Sequence, residues 1–241
     1  MNLDNITWNE ETYNSFINYL FSIKDETYAK FHSKLLKNDD ISVIGIRTPI
    51  LKNLAKKIAK TNYLEFINLD KHKYYEETLL HGLVITYLKI DFKESIKLFE
   101  EYIKYINNWA SCDTVVANYK LFKKNLNLGF TYINKYLKSK NPWINRVGLV
   151  LLLDYYINDE YIDKILDIAN NIKIDDYYVK MANAWLISMC LVKFYDNTYK
   201  FLLNNDLDDW THNKAIQKAI ESYRIEDKDT LRKLKRKKFN L

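Results

Sequence analysis

Apolar residues recur at helical spacing along nearly the whole chain. Phe16, Ile17, Leu20 and Phe21 share one side of a stretch from Trp8 to about Ile23. Tyr28, Phe31, Leu35 and Leu36 do the same over 25–37, before Lys37-Asn38-Asp39-Asp40 breaks the pattern. Ile41–Arg47 is a short apolar loop in which Gly45 suggests a special backbone angle or a close approach. Thr48-Pro49 then reads as a helix start, with Thr48 as N-cap and Pro49 at the first helical position. Further helices are expected near 62–69, 74–89 and 92–106, the last opened by an Asp91…Glu94 capping box. Asn108 is expected to cap the turn carrying Trp109, with helix continuing over 112–126 and again after Gly129 to about Lys138. Asn141-Pro142 opens a strongly apolar helix in which Gly148 is unexpected. Helices over 160–171, 175–192, 196–204 and 211–224 complete the chain. Connections are short, so the pattern predicts one domain over 1–241, an all-α superhelical solenoid of HEAT-like helical repeats with a concave groove.

Composition supports this. The chain has only 4 Gly and 2 Pro in 241 residues, far fewer than the turns of a β-sandwich or barrel require. The N-terminus has neither a basic nor an apolar leader segment, and no run of 18 apolar residues occurs, so a soluble, cytoplasmic protein is expected. The formal net charge of +6 matches that of residues 228–238 alone, which hold seven basic residues and one acid, leaving the remainder formally neutral. That basic C-terminal segment reads as a solvated end or as a contact for phosphates.

Several chemistries are excluded by pattern. So few glycines leave no phosphate-binding loop. Cys112 and Cys190 form no metal motif, and His32, His72, His81 and His212 show no ligand spacing with one another or with the cysteines. No metal and no cofactor is expected. Cys112 beside Asp113 has no histidine near it in sequence and reads as a buried structural thiol.

Trp109 and Asp113 stand four apart, so a helix puts both on one face. An indole beside a carboxylate is suited to holding a cation. Arg146 follows 37 residues after Trp109, and Trp185 follows 39 after Arg146. A step just under about 40 is the period of a two-helix repeat, so Trp109, Asp113, Arg146, Lys180 and Trp185 are expected to line one groove. For each residue alone a structural role competes: Trp8, Trp143 and Trp210 read as core or interface residues, Asp113 as a helix N-terminal acid, Arg146 as an ion-pair partner and the lysines as a solvated face.

Gly45-Ile46-Arg47-Thr48-Pro49 before a lysine-rich helix, Trp109-x-x-x-Asp113, Trp143-x-x-Arg146 and Val179-Lys180 followed by Ala184-Trp185 together resemble the AlkD-type alkylation-repair DNA glycosylases, over roughly residues 25–225. The resemblance implies a concave face that holds double-stranded DNA. It also implies excision of cationic N3- or N7-alkylated purines without base flipping, by a monomer needing no metal. By motif matching it implies catalytic roles for Asp113, Trp109 and Trp185 and a DNA contact at Arg146. Arg47, Lys180, Lys214 and Lys218 are the further DNA-contact candidates. Two other readings of the same scaffold stand beside it: a non-catalytic binder of damaged or unusual DNA, and a protein-binding helical scaffold.

Overall fold

In the computed structural model, residues 1–36 and 40–236 are described. They contain fifteen α-helices and no strand; Ser42 and Tyr74 form an isolated bridge. The fold is all-α and built from helical repeats. No helix among these residues is long and apolar enough to cross a membrane. Lys37, Asn38 and Asp39 of the expected break, and Lys37 at the end of the expected 25–37 helix, lie outside the described residues, as do Lys237 and Lys238 of the basic segment.

The chain forms two compact units, Met1–Lys124 and Asn125–Leu241. The first holds α1 (Glu10–Ser22), α2 (Glu26–Leu36), α3 (Thr48–Ile58), α4 (Tyr63–Leu69), α5 (Tyr75–Tyr87), α6 (Phe92–Tyr102), α7 (Trp109–Asn118) and α8 (Leu121–Lys124). The second holds α9 (Leu126–Leu137), α10 (Pro142–Tyr155), α11 (Ile162–Asn171), α12 (Tyr177–Lys193), α13 (Tyr195–Leu203), α14 (Asp209–Glu221) and α15 (Lys228–Lys233). In the first unit α3 packs on α5 and α5 on α7; in the second α10 packs on α12 and α12 on α14. Stacking of every second helix is what repeated helix pairs produce.

The central helices α5, α10 and α12 are apolar on nearly every side, as helices covered all round must be. Even their polar residues are engaged. Glu76 of α5 is fully buried, and its carboxylate accepts the backbone N–H groups of Ile44 at 2.9 Å, Gly45 at 2.7 Å and Ile46 at 3.1 Å. That clamp fixes the 41–47 loop. Gly45 has φ +105°, and a Cβ there would stand 2.6 Å from the Asp25 carbonyl oxygen, so both the special angle and the close approach are present. Gly148 has a packing reason: a Cβ would meet the Leu137 side chain at 2.9 Å, where α10 lies against α9.

Three local expectations need correction. Thr48 is the first helical residue rather than the cap; Arg47 holds the cap position without a side-chain cap bond, since a guanidinium has no acceptor to offer, and it pairs with Asp25 instead. The expected 112–126 helix stops at Asn118 and restarts at Leu121. Tyr119 leaves the helix to bury its ring against Phe99 and Phe122 and to bond Ser95 Oγ at 2.8 Å. The 92–106 helix tightens into a 3-10 turn at Ile103–Tyr105. The expected caps at Asn108 and Asn141 are both present.

Candidate nucleic-acid interface

α7 begins where the Asn108 side chain accepts the Ser111 N–H at 2.8 Å. Trp109 opens the helix and Asp113 follows one turn later, so the two share a face. Both are half-buried, whereas Ala110, Ser111 and Cys112 between them are buried. These three small residues let α7 seat against α5 and leave the Trp109/Asp113 face outward. The Trp109 indole N–H points to the Leu35 carbonyl at 3.4 Å, which ties the ring to the end of α2.

In the second unit Trp143 is half-buried and packs on Tyr178, with ring centroids 4.8 Å apart. Arg146 is only 4% exposed, and its Nη1 donates to the Tyr178 carbonyl at 2.6 Å. It therefore fastens α10 to the first turn of α12, whose cap Asp176 accepts the N–H groups of Tyr178 and Val179. Lys180 sits between Asp175 at 2.5 Å and Asp208 at 3.6 Å; its ammonium pKa is raised, chiefly by the hydrogen bond to Asp175. Asp208 also caps α14, so Lys180 links the two helix starts. Trp185 is half-buried on α12. Lys214 and Lys218 lie half-buried on α14, with Lys214 bonded to Gln217 at 2.9 Å. In the first unit Arg47 is exposed, paired with Asp25 at 2.7 Å and placed 5.2 Å from the Tyr28 ring centre.

The structure thus brings Trp109 to Asp113 within the first unit and Arg146 to Tyr178 within the second. The near-40 spacing is not a match of equivalent helix positions. Trp109 is the first residue of α7, Arg146 the fifth of α10 and Trp185 the ninth of α12. Within the second unit the starts of α10, α12 and α14 follow at steps of 35 and 32 residues.

Two features escaped the sequence reading. Trp210, expected as core or interface, is 37% exposed; Tyr177 lies 5.8 Å away and is 54% exposed. Lys214 Nζ stands 5.6 Å from the Trp210 ring centre. Trp210 and Lys214 are four apart, the same signal used for Trp109 and Asp113. Together with Asp175 and Lys180 the two aromatic rings border an open depression. The second feature is a histidine–aspartate cluster, Asp70, His72 and His81. No spacing among the histidines and cysteines signals it, because its third member is an aspartate. Trp8, by contrast, is core: 3% exposed, edge-on to Phe16 and Phe66, with its N–H on Thr61 Oγ1. Cys112 is buried as expected, and burial pushes the Cys190 thiol up to about 12.

No curated protein matches the chain. The family model described as DNA alkylation repair enzyme matches residues 17–222, which takes in α2 through α14 and every candidate site residue. The chain belongs to the DNA alkylation repair enzyme family, and its function is accordingly in the repair of alkylated DNA.

Proposed function

We propose that the protein is a DNA glycosylase that hydrolyses the N-glycosidic bond of cationic N3- or N7-alkylated purines in duplex DNA, without flipping the base. The observation that carries this reading is the Trp109/Asp113 face of α7, an aromatic ring and a carboxylate one turn apart, both reached by solvent. A purine alkylated at N3 or N7 is positively charged, and its departure leaves a sugar of oxocarbenium character. Asp113 stabilises that charge and orients the attacking water. Trp109 and Trp185 supply π faces to the cation, each worth about 1–2 kcal/mol when water is excluded. No proton need be delivered to a base that already leaves as a neutral molecule.

DNA contact is assigned to Lys214 and Lys218 and, through exchange of their present carboxylate partners for phosphates, to Lys180 and Arg47. Trp210 and Tyr177 are added to that set, because exposed rings beside lysine suit the sugar–phosphate edge. Arg146 acts by holding the start of α12, the helix that carries Trp185, and contributes its charge to that neighbourhood.

Base release and duplex binding are measured on the same preparation. The glycosylase reading predicts release of 7-methylguanine or 3-methyladenine from methylated duplex. It also predicts binding whose log affinity falls linearly with log salt. Salt-dependent binding without base release would replace it with the non-catalytic DNA-binding reading. Absence of binding at low salt would remove both.

A further inference from the structure

We propose that Asp70, His72 and His81 form a binding site for one divalent transition-metal ion of the zinc class, fastening the α4–α5 connection to α5. One carboxylate oxygen and one ring nitrogen from each histidine all lie within 4.8 Å of one another. The Asp70 side chain is wholly buried, and its Oδ2 has no hydrogen-bond partner among the described residues. Facing that oxygen are His72 Nδ1 at 3.4 Å and His81 Nδ1 at 3.6 Å. These separations exceed the 2.7–3.2 Å of an N–H···O hydrogen bond. The first matches the edge of a tetrahedron of ligands about 2.0–2.1 Å from a central ion, roughly 3.3–3.4 Å, and the second is slightly longer. His72 Nδ1 also lies 3.2 Å from Thr78 Oγ1 and His81 Nδ1 3.4 Å from His72 Nε2, contacts that a bound ion would replace, whereas Asp70 Oδ2 has no hydrogen bond to give up.

The surroundings hold the ligands in place. Asp70 Oδ1 accepts the His72 backbone N–H at 2.8 Å and faces the Tyr13 hydroxyl at 3.5 Å. Tyr13 donates to Glu77 at 2.6 Å. His72 has φ +49°, uncommon for a residue with a side chain, and this turns its ring back over Asp70. The ring stacks on Tyr105 at 3.8 Å and lies 5.2 Å from the His81 ring. Tyr105 is 48% exposed and marks the side from which an ion and a completing water enter. Two imidazoles and one carboxylate suit zinc, cobalt or nickel; magnesium and calcium take oxygen sets.

The test uses untagged full-length protein dialysed against chelator and then titrated with Co²⁺, read by visible absorption and by calorimetry. One equivalent is expected to bind with the intense visible bands of a four-coordinate site. His72→Gln and His81→Gln, with unchanged far-UV circular dichroism, are expected to lose at least about 100-fold in affinity. Excess Zn²⁺ is expected to raise the wild-type Tm by about 5 °C. Absence of saturable Co²⁺ binding by the wild type would overturn the proposal. Equal stoichiometry and affinity in the two variants would do so as well, since the ion would then sit elsewhere.

Discussion

Glu76 illustrates how much one side chain sets. Its carboxylate is the acceptor for three consecutive buried N–H groups, Ile44 to Ile46. Replacing it with alanine leaves three donors without an acceptor in a site closed to water. We expect Glu76→Ala to lower the unfolding free energy by about 3 kcal/mol or more, measured as a shift of the urea midpoint. An unchanged midpoint would mean that water reaches the loop. Gly45 is the other side of this clamp. Gly45→Ala meets both a disfavoured backbone angle and the Asp25 carbonyl, and a loss of about 2 kcal/mol is expected by the same assay. Histidines add a pH dependence. Burial lowers the pKa of His32 and of His212 below the ordinary 6.5. The unfolded chain therefore binds protons first as pH falls, so this stability is fully present above 6.5 and is lost below it, down through the folded-state values. For His212, burial is the leading cause, and the hydrogen bonds fix the neutral tautomer. Nε2 lies 3.0 Å from the Leu234 carbonyl and so carries the proton, which leaves Nδ1 as acceptor for Asn205 Nδ2–H at 3.2 Å. A second proton would set two donors against each other. The urea midpoint is expected to be lower at pH 5.5 than at pH 7.5, and a flat profile would contradict this. At this scale the sequence was informative where spacing alone places two side chains together, as for Trp109 and Asp113. It was silent on Asp70, His72 and His81, because the left-handed turn at His72 that unites them has no glycine to announce it.

Among the elements, the helices with one apolar stripe were readable from their period, and those without a polar face, α5, α10 and α12, from their continuous apolarity. Helix starts were readable at Asn108 and Asn141, which precede the first turns of α7 and α10. The interruption at Tyr119 was not, since nothing in its neighbours' helix propensity forbids continuation; the aromatic packing of Phe99, Tyr119 and Phe122 overrides it. The C-terminal end was also incompletely readable. What looks in sequence like a run of solvated charge contains a structural strap. Arg236 donates to the carbonyls of Leu207 at 2.6 Å and Asn205 at 3.0 Å, and to Asn205 Oδ1 at 2.8 Å; it pairs with Asp209 at 3.1 Å. Its backbone exchanges two hydrogen bonds with the Asn213 side chain. Leu231 of α15 is fully buried in the same cluster as Leu202, Ala215 and Ala219. Arg236→Ala is expected to destabilise the second unit by about 2 kcal/mol. A thermal shift no larger than that of an exposed lysine such as Lys235→Ala would contradict the strap.

For the whole molecule, composition and period together were enough for an all-α chain of repeats, and the family match over residues 17–222 supplies the connection to alkylated DNA. What composition hides is how few of the candidate cations stand without a carboxylate or carbonyl partner. Arg47, Lys180 and Arg146 are each engaged within their own unit. Under the proposed DNA contacts, phosphates displace Asp25 from Arg47 and Asp175 from Lys180, so neutralising these acids is expected to strengthen binding rather than weaken it. Asp175→Asn should tighten duplex binding at low salt by a factor of about 2–5, in keeping with release of one partly exposed lysine. No change in affinity would remove Lys180 from the DNA contacts. The central claim is the role of Asp113 in bond cleavage, and it is tested most directly by the single-turnover rate of 7-methylguanine and 3-methyladenine release from methylated duplex by the wild type beside Asp113→Asn. Release by the wild type is expected, slowed about 10²–10³-fold in the variant with duplex affinity retained. Equal rates in the two proteins would contradict it.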